Sequence, residues 1–157
     1  MKKSDIIVLL DLDDTLFNTE KFINSDLTVL ELYDEVKDAL IKLSQIATIG
    51  LLSQGETAFQ EKKLRETNID HYFLEENKHI VAYKLRIMEQ VLSKYRGAKV
   101  YFIEDRLENL EAAKTADPSV FTVWMKRGRY AKVQSSHSKF IPDAVVTNMH
   151  EVILLIN

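Results

Sequence analysis

The chain has 157 residues, 46% of them apolar and 29% charged, and a net charge of −3. It is long enough for one globular domain with a substantial core, and its charge offers no global attraction to nucleic acid or anionic lipid. Cysteine is absent, which excludes disulfides and thiolate chemistry. The apolar stretches are too short for a secretory signal or for the roughly 20 residues of a membrane span, so a cytoplasmic protein is expected.

Ile6-Ile7-Val8-Leu9-Leu10 is an unbroken branched run, the pattern of a strand buried on both faces of a parallel sheet. It ends at Asp11-Leu12-Asp13-Asp14-Thr15-Leu16. Val36, Ala39, Leu40 and Leu43 mark one face of a helix over about 34–44. A second buried strand is expected over 46–52, ending at Ser53-Gln54-Gly55. Residues 56–67 read as a helix with a thin apolar face, and His79-Ile80-Val81-Ala82 as a short third strand. Leu85, Met88, Val91, Leu92 and Tyr95 form the stripe of the next helix, closed by Gly97. Val100 to Ile103 is a fourth strand, leading into Glu104-Asp105. Leu107, Leu110, Ala113 and Ala116 then recur at helical spacing, with Pro118 beyond the stop. Strands over 120–125 and 144–147 follow. A last helix carries Met149, Val152, Ile153 and Ile156.

Strands alternating with single helices define an α/β doubly wound, Rossmann-like, mostly parallel sheet with helices on both faces. No boundary is visible within 1–157, which reads as one domain. The segment 17–33 is too long for a simple strand-to-helix loop and is expected to be a short flap or irregular insertion. In such sheets ligands bind beyond the carboxyl ends of the strands. Asp11 and Asp13, Ser53, and Asp105 all sit at those ends, and Lys84 opens the helix after the third strand. Residues far apart in the chain should therefore converge on one edge.

On these residues the sequence resembles the haloacid dehalogenase superfamily of phosphohydrolases. Asp11-x-Asp13-x-Thr15 matches its first motif, Ser53 the second, Lys84 the third, and Glu104-Asp105 the fourth. The likeness spans essentially the whole chain. It implies a phosphomonoester hydrolase using Mg²⁺, held by the carboxylates of Asp11 and Asp105 and the backbone carbonyl of Asp13. Asp11 would be the nucleophile, forming an aspartyl-phosphate. Asp13 would protonate the leaving oxygen and then deprotonate water. Like-charge crowding offers Asp13 a route to holding that proton. Ser53, the amide of Gln54, and Lys84 would hold the phosphoryl oxygens. A divalent cation and one lysine would offset most of the charge that phosphate, Asp11 and Asp105 bring together.

Each residue also has a plainer reading. Asp and Thr after a strand often cap the next helix, a serine there is usually a turn former, and Lys78 competes with Lys84. Asp14 reads as structural, and the four histidines as structural or solvated. Asn109 stands where the family often has a carboxylate. Lys126, Arg127 and Arg129 are either a solvated run or a grip on an anionic substrate. Cap domains of the superfamily sit after the first or third strand, and neither slot has room for one. The chain thus resembles the capless members, open to a small or macromolecular phosphorylated substrate. Rival readings are a phosphotransferase or mutase of the same superfamily, a receiver-like phosphoaspartate domain, and a catalytically silent binding domain. The order of acids and lysine argues against the receiver.

Overall fold

In the computed structural model the chain is described for Lys2, residues 5–137 and 139–156, with backbone alone at 135–137. Six strands form one parallel sheet: β1 (Ile6–Leu10), β2 (Thr48–Gln54), β3 (Lys78–Val81), β4 (Lys99–Glu104), β5 (Phe121–Met125) and β6 (Ala144–Val146). Their order is β3-β2-β1-β4-β5-β6, parallel at every pairing. The chain winds outward from β1 in one direction and from β4 in the other. The crevice between the ends of β1 and β4 is therefore the switch point where such sheets bind ligands.

All five residues of β1 are buried, because alternate side chains feed two different cores. Val8 and Leu10 point into a core with α2 (Val36–Ile46), α3 (Thr57–Glu66) and α7 (Met149–Ile156). Ile7 and Leu9 point into a second, with α4 (Lys84–Ser93) and α5 (Leu107–Ala116). These are the helices on both faces that the alternation of patterns required.

Some boundaries differ from the sequence reading. Ile46 closes α2 rather than opening β2, with Ala47 N–H bonded back to Leu43 O. β2 runs on to Gln54 because Ser53 and Gln54 still pair with Ile80 and Val81. Leu85 was expected on the inner stripe of α4 but is 54% exposed, whereas Lys84 is 2% exposed. The lysine stem thus fills a core position that the pattern assigned to leucine.

Two short helices escaped the sequence reading. α1 (Thr19–Asn24) lies in the 17–33 segment, which is pinned by a bridge between Phe17 and Leu32. α6 (Ala131–His137) follows the basic run.

Candidate active site

Leu10 faces Ile103 in the register of β1 and β4, and Asp11 N–H bonds to Ile103 O. Asp11 and Glu104 therefore leave the sheet side by side. They meet Lys84, whose Nζ donates to Asp11 Oδ1 at 2.5 Å and to Glu104 Oε2 at 2.6 Å. Thr15 Oγ1 donates to Asp11 Oδ2 at 2.9 Å, so each oxygen of Asp11 has a partner. Glu104 is more heavily committed. Oε1 accepts the N–H groups of Asp105 and Arg106, and Oε2 also accepts Asn109 Nδ2.

Asp105 completes the group. Carboxylate oxygens of Asp11, Glu104 and Asp105 all lie within 4.8 Å of one another. Asp105 Oδ2 is buried without a hydrogen-bond partner, and leaving such an oxygen unsatisfied is costly. Burial, then the charges of Asp11 and Glu104, push the Asp105 carboxyl up to about 12. Burial and Glu104 likewise raise Asp11 to about 7, against the pull of Lys84. For Lys84 burial works downward, but the two carboxylates outweigh it and raise its pKa. Lys84 pairs with Asp11 and Glu104, and Asp105 stands beside them without a cationic partner among the described residues. Because Glu104 is saturated with donors, Asp11 and Asp105 are the carboxylates that fit a metal, and oxygen donors of this kind suit Mg²⁺.

Asp13 leaves the same turn in another direction and meets α3. Lys63 Nζ lies 2.6 Å from Asp13 Oδ1, and Gln60 Nε2 donates to Oδ2 at 2.9 Å. The crowding expected around Asp13 is thus answered by a lysine of its own. Lys63 is itself buried, its ammonium over the rings of Phe17 and Phe59. Gln60 Nε2 also reaches Ser53 Oγ at 2.7 Å. Ser53 is wholly buried behind it and does not line the cleft. Gln54 lines the cleft, and its Oε1 accepts the N–H of Lys84 at the start of α4.

Asp14 is structural. It is fully buried in a left-handed conformation (φ 61°) and paired with Arg129 at 2.9 Å. Gly128 packs so closely that a Cβ there would lie 2.6 Å from Asp14 Cβ, and its φ of 79° also favours glycine. Lys78 pairs with Asp70 and Glu75 and does not line the cleft, whereas Lys84 does. Among the histidines, His79 is buried against Tyr95 OH at 2.6 Å.

The basic run divides. Arg127 is held by Glu35 and Thr15 O and stacks on Tyr33, Lys126 lies over Trp124, and Arg129 alone reaches the cleft. The cleft has a volume of about 100 Å³.

Gln60 and Lys63 are the site residues that the sequence reading missed. Their signal was present: Gln60, Lys63, Leu64 and Thr67 stand at helical spacing and are all buried. The thin apolar face of α3 is an inward face with polar residues on it.

The site is thus an acid cluster with a buried lysine at the switch point of a doubly wound parallel sheet. The chain belongs to the haloacid dehalogenase-like hydrolases, whose family model matches residues 21–117. Comparison with curated proteins gives no match. Among solved structures, the chain is similar to a haloacid dehalogenase-like hydrolase of Burkholderia xenovorans (TM-score 0.81, 19% identity, 97% of this chain and 96% of that one). It also resembles the magnesium-bound HAD-hydrolase YfnB of Bacillus subtilis (TM-score 0.71, 14% identity, 99% and 100% covered). A third is the L-2-haloacid dehalogenase RSc1362 (TM-score 0.73, 12% identity, 98% and 99% covered). At these identities the structural likeness speaks for the fold alone. Residues 11–15 lie outside the family match.

Proposed function

We propose that the protein is a magnesium-dependent phosphomonoester hydrolase working through an aspartyl-phosphate on Asp11. The observation that carries this is the buried, partnerless Asp105 oxygen beside Asp11 and Glu104, with one lysine among three acids. Such a floor calls for one more cation, and an anionic phosphoryl group calls for the same cation. A metal there would be held by Asp11, Asp105 and the carbonyl of Asp13, and would lower the charge opposing nucleophilic attack.

Lys84 and Thr15 orient Asp11 by one bond to each oxygen. A carboxylate oxygen of Asp11 attacks phosphorus, the ester P–O bond breaks, and the departing oxygen takes a proton by way of Asp13, which accepts a hydrogen bond from Lys63. Water then attacks phosphorus and gives a proton back by the same route. The bond between phosphorus and Asp11 breaks, and phosphate leaves. Lys84 and the Gln54 amide steady the phosphoryl oxygens, with Ser53 held behind Gln60. Glu104 and Asn109 keep Lys84 in place.

α1 is the sole helix of the described residues between β1 and α2, and two single-turn 3₁₀ segments are the helical pieces between α3 and β3. This supports the reading of a site without a cap domain, open to substrates bulkier than a single sugar phosphate.

The test is hydrolysis of a generic aryl phosphate and of 2-chloropropionate, with and without Mg²⁺. Metal-dependent release of phosphate that is lost in Asp11→Asn and Asp13→Asn is the expected result. Halide release in place of phosphate release would assign the protein to the dehalogenases, and phosphate release insensitive to chelator would refute the mechanism.

A further inference from the structure

The cleft accommodates little beyond a phosphoryl group. Its volume of about 100 Å³ is well below the roughly 300–1,000 Å³ of pockets that enclose a drug-sized ligand. The remainder of any substrate must lie across the mouth, and what the mouth presents will select it.

Arg106, Arg129 and Tyr130 all line the cleft. The Tyr130 ring has the guanidinium of Arg106 at 4.8 Å and that of Arg129 at 5.2 Å. Each arginine has an acidic neighbour, yet neither is buried by it, since both side chains remain 37% exposed. Glu108, beside Arg106, is itself half-exposed, so its hold is weak and readily exchanged for another anion. Arg129 uses Nε and Nη2 on Asp14, which fixes the plane of its guanidinium. The deep acids sit around Lys84, and positive charge gathers at the entrance.

The rim is also built rather than incidental. Gln134 of α6 accepts the N–H of Leu107 and donates to Asp105 O and Tyr130 O. Trp124 Nε1 donates to the same Asp105 carbonyl at 2.9 Å. One glutamine thus ties the turn carrying Arg106 to the loop carrying Tyr130. The close fit of Gly128 against Asp14 anchors that loop from its other side.

Resting on the phosphatase reading, we infer that the Arg106–Tyr130–Arg129 rim binds a second anionic group of the substrate. The substrate class is then a phosphomonoester that also carries a carboxylate or a further phosphoryl-type anion. Arginine is well suited to both, because its planar fork matches either group.

The experiment compares kcat/KM of the full chain with Mg²⁺ on three aryl phosphates that differ in one para substituent: carboxylate, phosphonate or carboxamide. At low salt at least one anionic ester should exceed the carboxamide by about tenfold or more, as expected for a hydrogen-bonded charge pair. Added salt should shrink the ratio. In Arg106→Gln and Arg129→Gln the ratio, normalised to the same three substrates, should fall towards unity. Arg129→Gln also strips Asp14 of its partner, so Arg106→Gln decides if the other fails to fold. Preference for carboxylate or for phosphonate names the source of the anion. Brisk turnover with no preference, or a preference unchanged in Arg106→Gln, overturns the rim and leaves the phosphatase reading standing. Absence of turnover on all three takes down both.

Discussion

Asp11 and Asp13 stand two residues apart on one turn, and the protein treats them in opposite ways. Asp11 shares a single lysine with Glu104 and faces the unsatisfied Asp105. Asp13 has Lys63 to itself and accepts a further hydrogen bond from Gln60. The first environment is short of positive charge, whereas the second is already balanced inside the fold. Carboxylates two residues apart acquire different surroundings because different helices reach them, α4 for one and α3 for the other.

Removing the nucleophile should have the largest effect. Asp11→Asn is expected to lower kcat for phosphate ester hydrolysis by at least about a thousandfold, with near-parent thermal stability, since the change relieves crowding at the floor. A stable, fully active variant would end the proposed division of labour. Lys84→Met should cost both activity and about 3–5 kcal/mol of stability, because two buried carboxylates lose their counter-charge. Chemical denaturation measures the second quantity, and a change below about 1 kcal/mol would show the floor to be better solvated than its burial implies. On the other side, Lys63→Met should lower kcat about tenfold with little change in KM, because it frees the carboxyl that must meet the leaving group. Lys63→Arg should restore part of the loss; an effect on KM alone would place Lys63 in substrate binding instead.

The smallest effect is a slope of stability with pH. The folded-state pKa of Asp105 is raised, from 3.8 to about 12, so between those values the folded chain holds a proton that the unfolded chain has lost. Stability is then fully present below the unfolded pKa and declines as pH rises. For chelated protein, Tm should fall by about 3–5 °C per pH unit between pH 7 and 9. Asp105→Asn should flatten that slope. A flat parent profile would contradict the dry, proton-holding floor.

Most of the architecture was readable because buried parallel strands have an unmistakable composition. Ile6–Leu10 and Val100–Ile103 declared themselves, and with them the positions of Asp11 and Asp105. Lys84 was legible from its place after the short third strand, although its burial in the stripe of α4 was not. Gln60 and Lys63 went unread for a physical reason: a helix whose inner face is polar lacks the pattern that reveals a helix, and its partners at Asp13 lie 47 and 50 residues away. α6 was hidden similarly, since its Gln134 works by hydrogen bonds to Leu107 and Asp105 rather than by an apolar stripe.

The proposed chemistry depends on one ion being held between acids that are far apart in the sequence and close in space. Calorimetric titration of Mg²⁺ into the full chain tests this directly, with Asp105→Asn and Asp13→Asn alongside. The expected result is one site per chain, abolished in Asp105→Asn and kept in Asp13→Asn, where the carbonyl is unchanged. Binding of Mg²⁺ by Asp105→Asn as tightly as by the parent would contradict it.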